Sequence, residues 1–178
     1  MIFACFGDSI TEGYMVPEDC SWPSVLERLS KGRIKTLNFG VSGETTLDAI
    51  KRINEVISSR PQMVFLEFGI NDYFWGFPVE SVKENLNTIC KTFLDNDIKV
   101  ILCGFDIKGQ PLEKWKLVYK SLAGSYKLPL YEDIFSGLKR EEGHFLPDGL
   151  HPNEEGYRVM ASRIFEFLKK NFPKLILP

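Results

Sequence analysis

The chain has only two histidines, His144 and His151, and four cysteines, Cys5, Cys20, Cys90 and Cys103, none of them in a CxxC spacing. That scarcity removes the usual ligand sets of zinc sites and the paired thiols of redox motifs. Cys5, Cys90 and Cys103 lie in apolar segments, where a reduced thiol behaves as a small hydrophobe, so structural thiols are expected. No apolar stretch reaches the length needed to span a bilayer, which excludes an integral membrane segment. There is no basic block either: 22 basic residues are spread among 24 acidic ones for a net charge of −2. This argues against nucleic acid as the main partner and favours a small, neutral or weakly charged substrate. The opening residues carry no basic segment and long apolar run of the secretory kind, so a cytoplasmic protein is expected. Repeats, low-complexity segments and dividing linkers are also missing. Two domains cut from 178 residues would each be small and marginal, so residues 1–178 are read as one domain. Composition does not choose between a monomer and a homo-oligomer.

What is present is an alternation. Short apolar runs rich in β-branched and aromatic residues recur at 2–6, 36–39, 63–68, 100–105 and, more weakly, 128–131, and read as buried strands. Between them, 22–29, 47–57, 79–93 and 112–122 have helical spacing, and a last helix is expected over 154–170. There Tyr157, Met160, Ala161, Ile164, Phe165 and Leu168 fall on one face. Parallel strands need crossovers, and crossover helices bury both sheet faces, so the alternation implies an α/β fold with a parallel sheet between helices. Chemistry in such a sheet gathers beyond the carboxyl ends of the strands.

Four stretches stand at those ends. The first strand runs into Gly7-Asp8-Ser9-Ile10-Thr11, which would set Ser9 where the chain leaves the sheet; on this stretch alone a simple turn is the better reading, because all three leading residue types favour turns. The second runs into Gly40-Val41-Ser42-Gly43-Glu44, where small residues let backbone amides approach a ligand. Ser42 is not taken as a nucleophile, since Glu44 stands where the G-x-S-x-G elbow needs glycine. The third ends Gly69-Ile70-Asn71-Asp72, where Asn71 either donates to an oxyanion or makes a turn or cap. The fourth is Asp148-Gly149-Leu150-His151-Pro152-Asn153. Pro152 keeps His151 out of the helix and Asn153 is suited to cap it. The short glycine turn lets the Asp148 carboxylate fold back on the imidazole, orienting it and leaving the other ring nitrogen for the Ser9 proton. His144, in a polar stretch, is expected to be a solvated loop residue.

Together these four stretches resemble, in order and over nearly the whole chain, the SGNH hydrolases, also called the GDSL esterase and lipase family. The resemblance implies Ser9 as nucleophile, His151 as general base and Asp148 as its orienting acid. It implies an oxyanion hole from the Ser9 and Gly43 amides and the Asn71 side chain, with no metal or organic cofactor. It also implies a flavodoxin-like three-layer α/β/α sandwich with a five-stranded sheet in the order 2-1-3-4-5. Trp22-Pro23, Ser42-Gly43-Glu44-Thr45 and Gly76-Phe77-Pro78 resemble the bacterial thioesterase I, arylesterase and lysophospholipase branch. Ile10 replaces the leucine of the name motif, and Ile70 stands where that branch often has glycine, which bears on the acyl pocket.

The expected activity is therefore a serine esterase acting through an acyl-enzyme on aryl or short-chain acyl esters, with thioesters and lysophospholipids as further candidates. A carbohydrate O-acetylesterase of the same family is the alternative. Asp8, Ile70, Phe74 and Trp75 are the expected substrate-binding residues. Asp8 supports the first stretch, and the two aromatics belong to a ring-rich loop at 72–78 that either lines and shortens an acyl pocket or only packs onto the helices. A different class of function, a flavin mononucleotide-binding module, would use Ser9, Thr11 and Gly13 to cradle phosphate but leaves Asp148, His151 and Asn71 idle.

Overall fold

A computed structural model of the chain describes residues 1–176. Its strands are β1 (Ile2–Gly7), β2 (Lys35–Gly40), β3 (Met63–Glu67), β4 (Lys99–Cys103) and β5 (Leu130–Tyr131), all parallel, in the order β2-β1-β3-β4-β5. The helices are α1 (Ser9–Glu12), α2 (Trp22–Leu29), α3 (Thr46–Ser58), α4 (Ile70–Phe74), α5 (Val79–Asp95), α6 (Glu113–Tyr126), α7 (Glu154–Asn171) and α8 (Pro173–Ile176). The three-layer α/β fold and its strand order are those expected.

Residues 3–7 of β1 and all of β3 are buried, and the sequence there is nearly all apolar because helices cover both faces. Edge strand β2 is more open and carries Lys35 and Asn38. Alternate side chains feed the two layers. Phe65 of β3 meets Trp22 of α2 at 5.2 Å and reaches α7 through Tyr131 and Phe167, whereas Phe6 of β1 meets Phe93 of α5 at 5.9 Å. Right-handed crossovers account for this split, since the chain moves one way from β1 to β2 and the other way afterwards. Each large apolar side chain so enclosed stabilises the fold by about 1.5–3 kcal/mol.

The structure differs from expectation at the strand ends. Helices α1, α4 and α8, with five residues or fewer, are too short to show a period. Phe68 and Phe105, expected in strands, are buried just past them, and β5 keeps only Leu130–Tyr131 of the run from Leu128. Asn153 caps α7 as expected, its side chain accepting from the Gly156 amide at 3.0 Å. Of the expected α7 face, Phe165 is half-buried and the other five residues are buried. Cys5, Cys90 and Cys103 are buried and unpaired, Cys20 is half-buried, and burial pushes the Cys90 thiol up to about 12. Among the described residues no helix is long and apolar enough to cross a membrane.

Candidate active site

At the carboxyl end of β1 the chain turns directly into α1. The Asp8 carboxylate caps this turn by accepting from the Ile10 amide at 2.9 Å, which makes Ser9 the first helical residue. Gly40, ending β2, allows the turn to settle: a Cβ there would lie 2.0 Å from the Glu12 nitrogen. From below, Glu67 of β3 accepts from the Thr11 hydroxyl at 2.8 Å. Both carboxyls are enclosed. Burial, then the charges of Asp72 and Glu44, raise Asp8 to about 7 against the pull of the Ile10 amide; burial and the neighbouring Asp8 raise Glu67 well above its ordinary range.

Across from this turn, the 148–151 loop presents His151. Gly149 adopts a φ of +69°, a conformation only glycine takes without strain, and so reverses the chain between Asp148 and His151. One Asp148 oxygen then accepts the Leu150 and His151 amides at 2.8 and 3.0 Å, and the other lies 2.7 Å from His151 Nδ1. Partial burial raises the Asp148 carboxyl, but the Leu150 amide, the His151 ring and the His151 amide outweigh it and hold the group below its usual range. The other ring nitrogen, Nε2, is 2.9 Å from Ser9 Oγ. The Tyr14 ring lies against the imidazole with centroids 4.4 Å apart.

Asn71 sits in the first turn of α4, so it is neither a free turn residue nor a cap. Its side-chain amide donates to the Glu44 carbonyl at 2.8 Å and, more weakly, to the Asp8 carboxylate at 3.3 Å. Gly43 precedes Glu44 in the loop after β2, and an added Cβ on it would meet nothing within 4 Å. Neighbouring Asp72 is buried and holds α3 in place, accepting from the Thr46 amide at 3.0 Å and the Thr46 hydroxyl at 2.6 Å. Ser42 donates to Glu12. The structure thus brings Ser9, His151 and Asp148 into one hydrogen-bonded line, with Asn71 tied to the Ser9 turn through Asp8 and to the Gly43 loop through Glu44.

Two expected substrate contacts require correction. Asp8 is fully buried and Ile70 is 2% exposed, so both support the site from beneath and cannot meet a substrate. Phe74, ending α4, and Trp75, which follows it, are 54% and 71% exposed, so both rings are open to solvent three and four residues after Asn71. A cavity of about 330 Å³ beside the 148–151 loop is lined by apolar Ile107, Phe135, Leu138, Phe145 and Leu150 and by charged residues of both signs, Lys108 and Arg140 against Asp106 and Glu141 among them. His144 is also not solvated. It is 6% exposed, its Nδ1 accepts from the Lys139 amide at 3.0 Å, and its carbonyl accepts from the Asn153 amide at 3.0 Å. The flavin reading fails on Thr11, which is buried with its hydroxyl committed to Glu67, and on the two carboxyls beneath the turn where a phosphate would sit.

Sequence reasoning passed over Glu67, Tyr14 and Arg52. For Glu67 the signal was available, a lone acid ending an otherwise apolar strand; Tyr14 and Arg52 carry no mark until the fold places them. Among the described residues, no three His, Cys, Asp or Glu side chains gather as a metal site.

The sequence pattern of the GDSL-like lipase/acylhydrolase family matches residues 5–159. An arylesterase of Vibrio mimicus is 26% identical over 173 residues, covering 93% of this chain and 86% of its own. The thioesterase 1/protease 1/lysophospholipase L1 of Escherichia coli is 22% identical over 160 residues, covering 87% and 77% respectively. Among solved structures, the crystal structure of TesA superimposes with a TM-score of 0.88 at 21% identity, over 96% of this chain and 99% of that one.

Proposed function

Because the chain belongs to the GDSL-like lipase/acylhydrolase family and is an ester-hydrolysing enzyme, we propose that it cleaves carboxylic esters of aryl or short-chain acyl type through a Ser9 acyl-enzyme. One observation carries this reading: the line from Ser9 Oγ to His151 Nε2 at 2.9 Å and from His151 Nδ1 to Asp148 at 2.7 Å. Geometry of this kind fits general-base activation of a serine. His151 Nε2 takes the Ser9 proton as Oγ bonds to the acyl carbon, and Asp148, accepting from Nδ1–H, stabilises the imidazolium. The carbonyl π electrons move onto oxygen, giving an oxyanion held by the Ser9 and Gly43 amides and by Asn71. Asn71 keeps its shorter bond to Glu44 and exchanges the long contact with Asp8 for the substrate oxygen. The tetrahedral species collapses, the alcohol leaves with the proton from His151, and water activated by the same imidazole frees the acid.

The acyl chain is assigned to the cavity beside the 148–151 loop, since Leu150 adjoins His151 and Leu138, Phe145 and Leu150 give an otherwise charged cavity an apolar wall. Thioesters and lysophospholipids, named for the Escherichia coli relative, are the next substrates to try. The test is a hydrolysis panel of aryl esters, thioesters, lysophospholipids and acetylated sugars with the purified protein and a folded Ser9→Ala variant. Turnover of aryl esters by the wild type alone is expected; equal turnover by both would remove Ser9 from the mechanism.

A further inference from the structure

Arg52 lies on α3, behind the site, and its side chain is only 12% exposed. A buried guanidinium is costly unless its donors are satisfied, and here they are spent on a particular set of partners. Nε and Nη2 both reach the Glu44 carboxylate at 2.5 Å. Nη2 also donates to the Phe39 carbonyl at 2.7 Å and, more weakly, to the Gly7 carbonyl at 3.4 Å, while the cation sits 4.7 Å from the centre of the Phe6 ring. Phe39 and Gly7 stand at the carboxyl ends of β2 and β1, one residue before the Gly40 approach and one before the Asp8-Ser9 turn. Glu44 follows Gly43 and lends its own carbonyl to Asn71 at 2.8 Å. One cation therefore touches the strand that delivers the nucleophile, the strand that delivers the Gly43 loop, and the residue on which Asn71 rests.

We propose that Arg52 is a positioning residue of the esterase site, which through Glu44 fixes the Gly43 amide and the Asn71 side chain relative to Ser9 before substrate arrives. The proposal rests on the esterase reading. Preorganised donors act on the charge that develops in the transition state, so a loop left free to shift loses rate without losing ground-state binding. The guanidinium is suited to this because its planar donors serve a carboxylate and two carbonyls at once, which a single ammonium on a flexible stem does not reproduce. Nothing in the Asp148 to His151 line passes through Arg52.

The experiment compares the wild type with Arg52→Lys, Arg52→Met, Glu44→Gln and the Arg52→Met/Glu44→Gln double variant. Folding is followed by circular dichroism, and active sites are counted by stoichiometric p-nitrophenol release from a p-nitrophenyl alkylphosphonate. Then kcat and KM for p-nitrophenyl butyrate are expressed per titrated site. The expected result is a fall in kcat of roughly 10- to 100-fold for Arg52→Met and Glu44→Gln, short of losing a donor outright. KM should stay within about twofold, the midpoint of the pH profile should not move, Arg52→Lys should be intermediate, and the double variant should be no worse than the worse single one. Wild-type kcat per titrated site in the folded single variants, with only a lower melting temperature, would overturn the proposal and leave Arg52 a structural residue. A raised KM at unchanged kcat would overturn it equally. If Arg52→Met does not fold, Glu44→Gln decides, because it retains the carbonyl that Asn71 uses. A wild type that neither hydrolyses the ester nor releases p-nitrophenol from the phosphonate would instead overturn the esterase reading, and the proposal with it.

Discussion

His151 Nε2 stands 2.9 Å from Ser9 Oγ across 142 residues of chain. Removing either group should therefore abolish ester hydrolysis, with Ser9→Ala and His151→Ala each lowering kcat by about 10⁴-fold or more. Ser42→Ala should retain most activity, since Ser42 binds Glu12 and not the imidazole. Steady-state kinetics on variants checked for folding by circular dichroism give the answer, and substantial turnover by a folded Ser9→Ala protein would refute the nucleophile assignment.

Asn71→Ala should lower kcat by roughly 10² to 10³ with a smaller effect on KM, because an oxyanion donor acts mainly when charge develops. The substitution also frees the Glu44 carbonyl, so thermal melting should be recorded alongside. A change confined to KM would return Asn71 to a structural role.

His144→Ala should behave in the opposite way. It leaves the Lys139 amide without its imidazole acceptor and opens a buried space beside the 148–151 loop, at a cost of about 1–3 kcal/mol for the lost bond. Activity per folded molecule should be close to wild type. Urea unfolding with matched kinetics separates the two effects, and a wild-type midpoint would show that the buried imidazole contributes nothing.

Stability should fall as pH rises from mildly acidic to alkaline. Asp8 ionises near 7 in the fold against 3.8 unfolded, and Glu67 is raised in the same direction, so the native state holds protons that the unfolded chain has released. Their contribution is fully present below about 4 and is lost through about 7 and above. Asp48, lowered to about 2 by Lys51 and Thr45, works in reverse and loses its contribution only in stronger acid. Each proton held makes the unfolding free energy fall by up to about 1.4 kcal/mol per pH unit. Denaturant midpoints at about pH 5.5 and about pH 8 test this, with Asp8→Asn expected to flatten the slope. A midpoint that rises with pH, or a slope unchanged in Asp8→Asn, would contradict it.

Acyl-chain preference should follow the cavity and not the aromatic loop. Leu138→Trp and Leu150→Trp should shift the optimum in a p-nitrophenyl ester series toward shorter chains, at about 1–3 kcal/mol for each methylene refused. Phe74→Ala and Trp75→Ala, which truncate exposed rings, should leave the profile unchanged. A profile that lengthens in either of the last two would restore those rings to the acyl site.

The sequence by itself determined the layered α/β fold, because apolar runs that alternate with amphipathic segments can bury both kinds of surface only as a parallel sheet between helices. It also determined which residue types stand at the strand ends, and Pro152 with Gly149 set the local geometry that turns Asp148 toward His151. Tertiary structure decided everything that depends on burial or on distant approach. Asp8 and Ile70 read as substrate-binding residues until the folded chain buries both beneath the site. His144 reads as solvated until the 139–153 loop closes around its ring. Arg52, Glu44 and Asn71, from α3, the β2 loop and α4, meet only because the crossovers return each strand end to the same edge of the sheet. A period or a turn propensity is a property of neighbouring residues, whereas desolvation and cross-strand contact depend on what the rest of the chain places opposite.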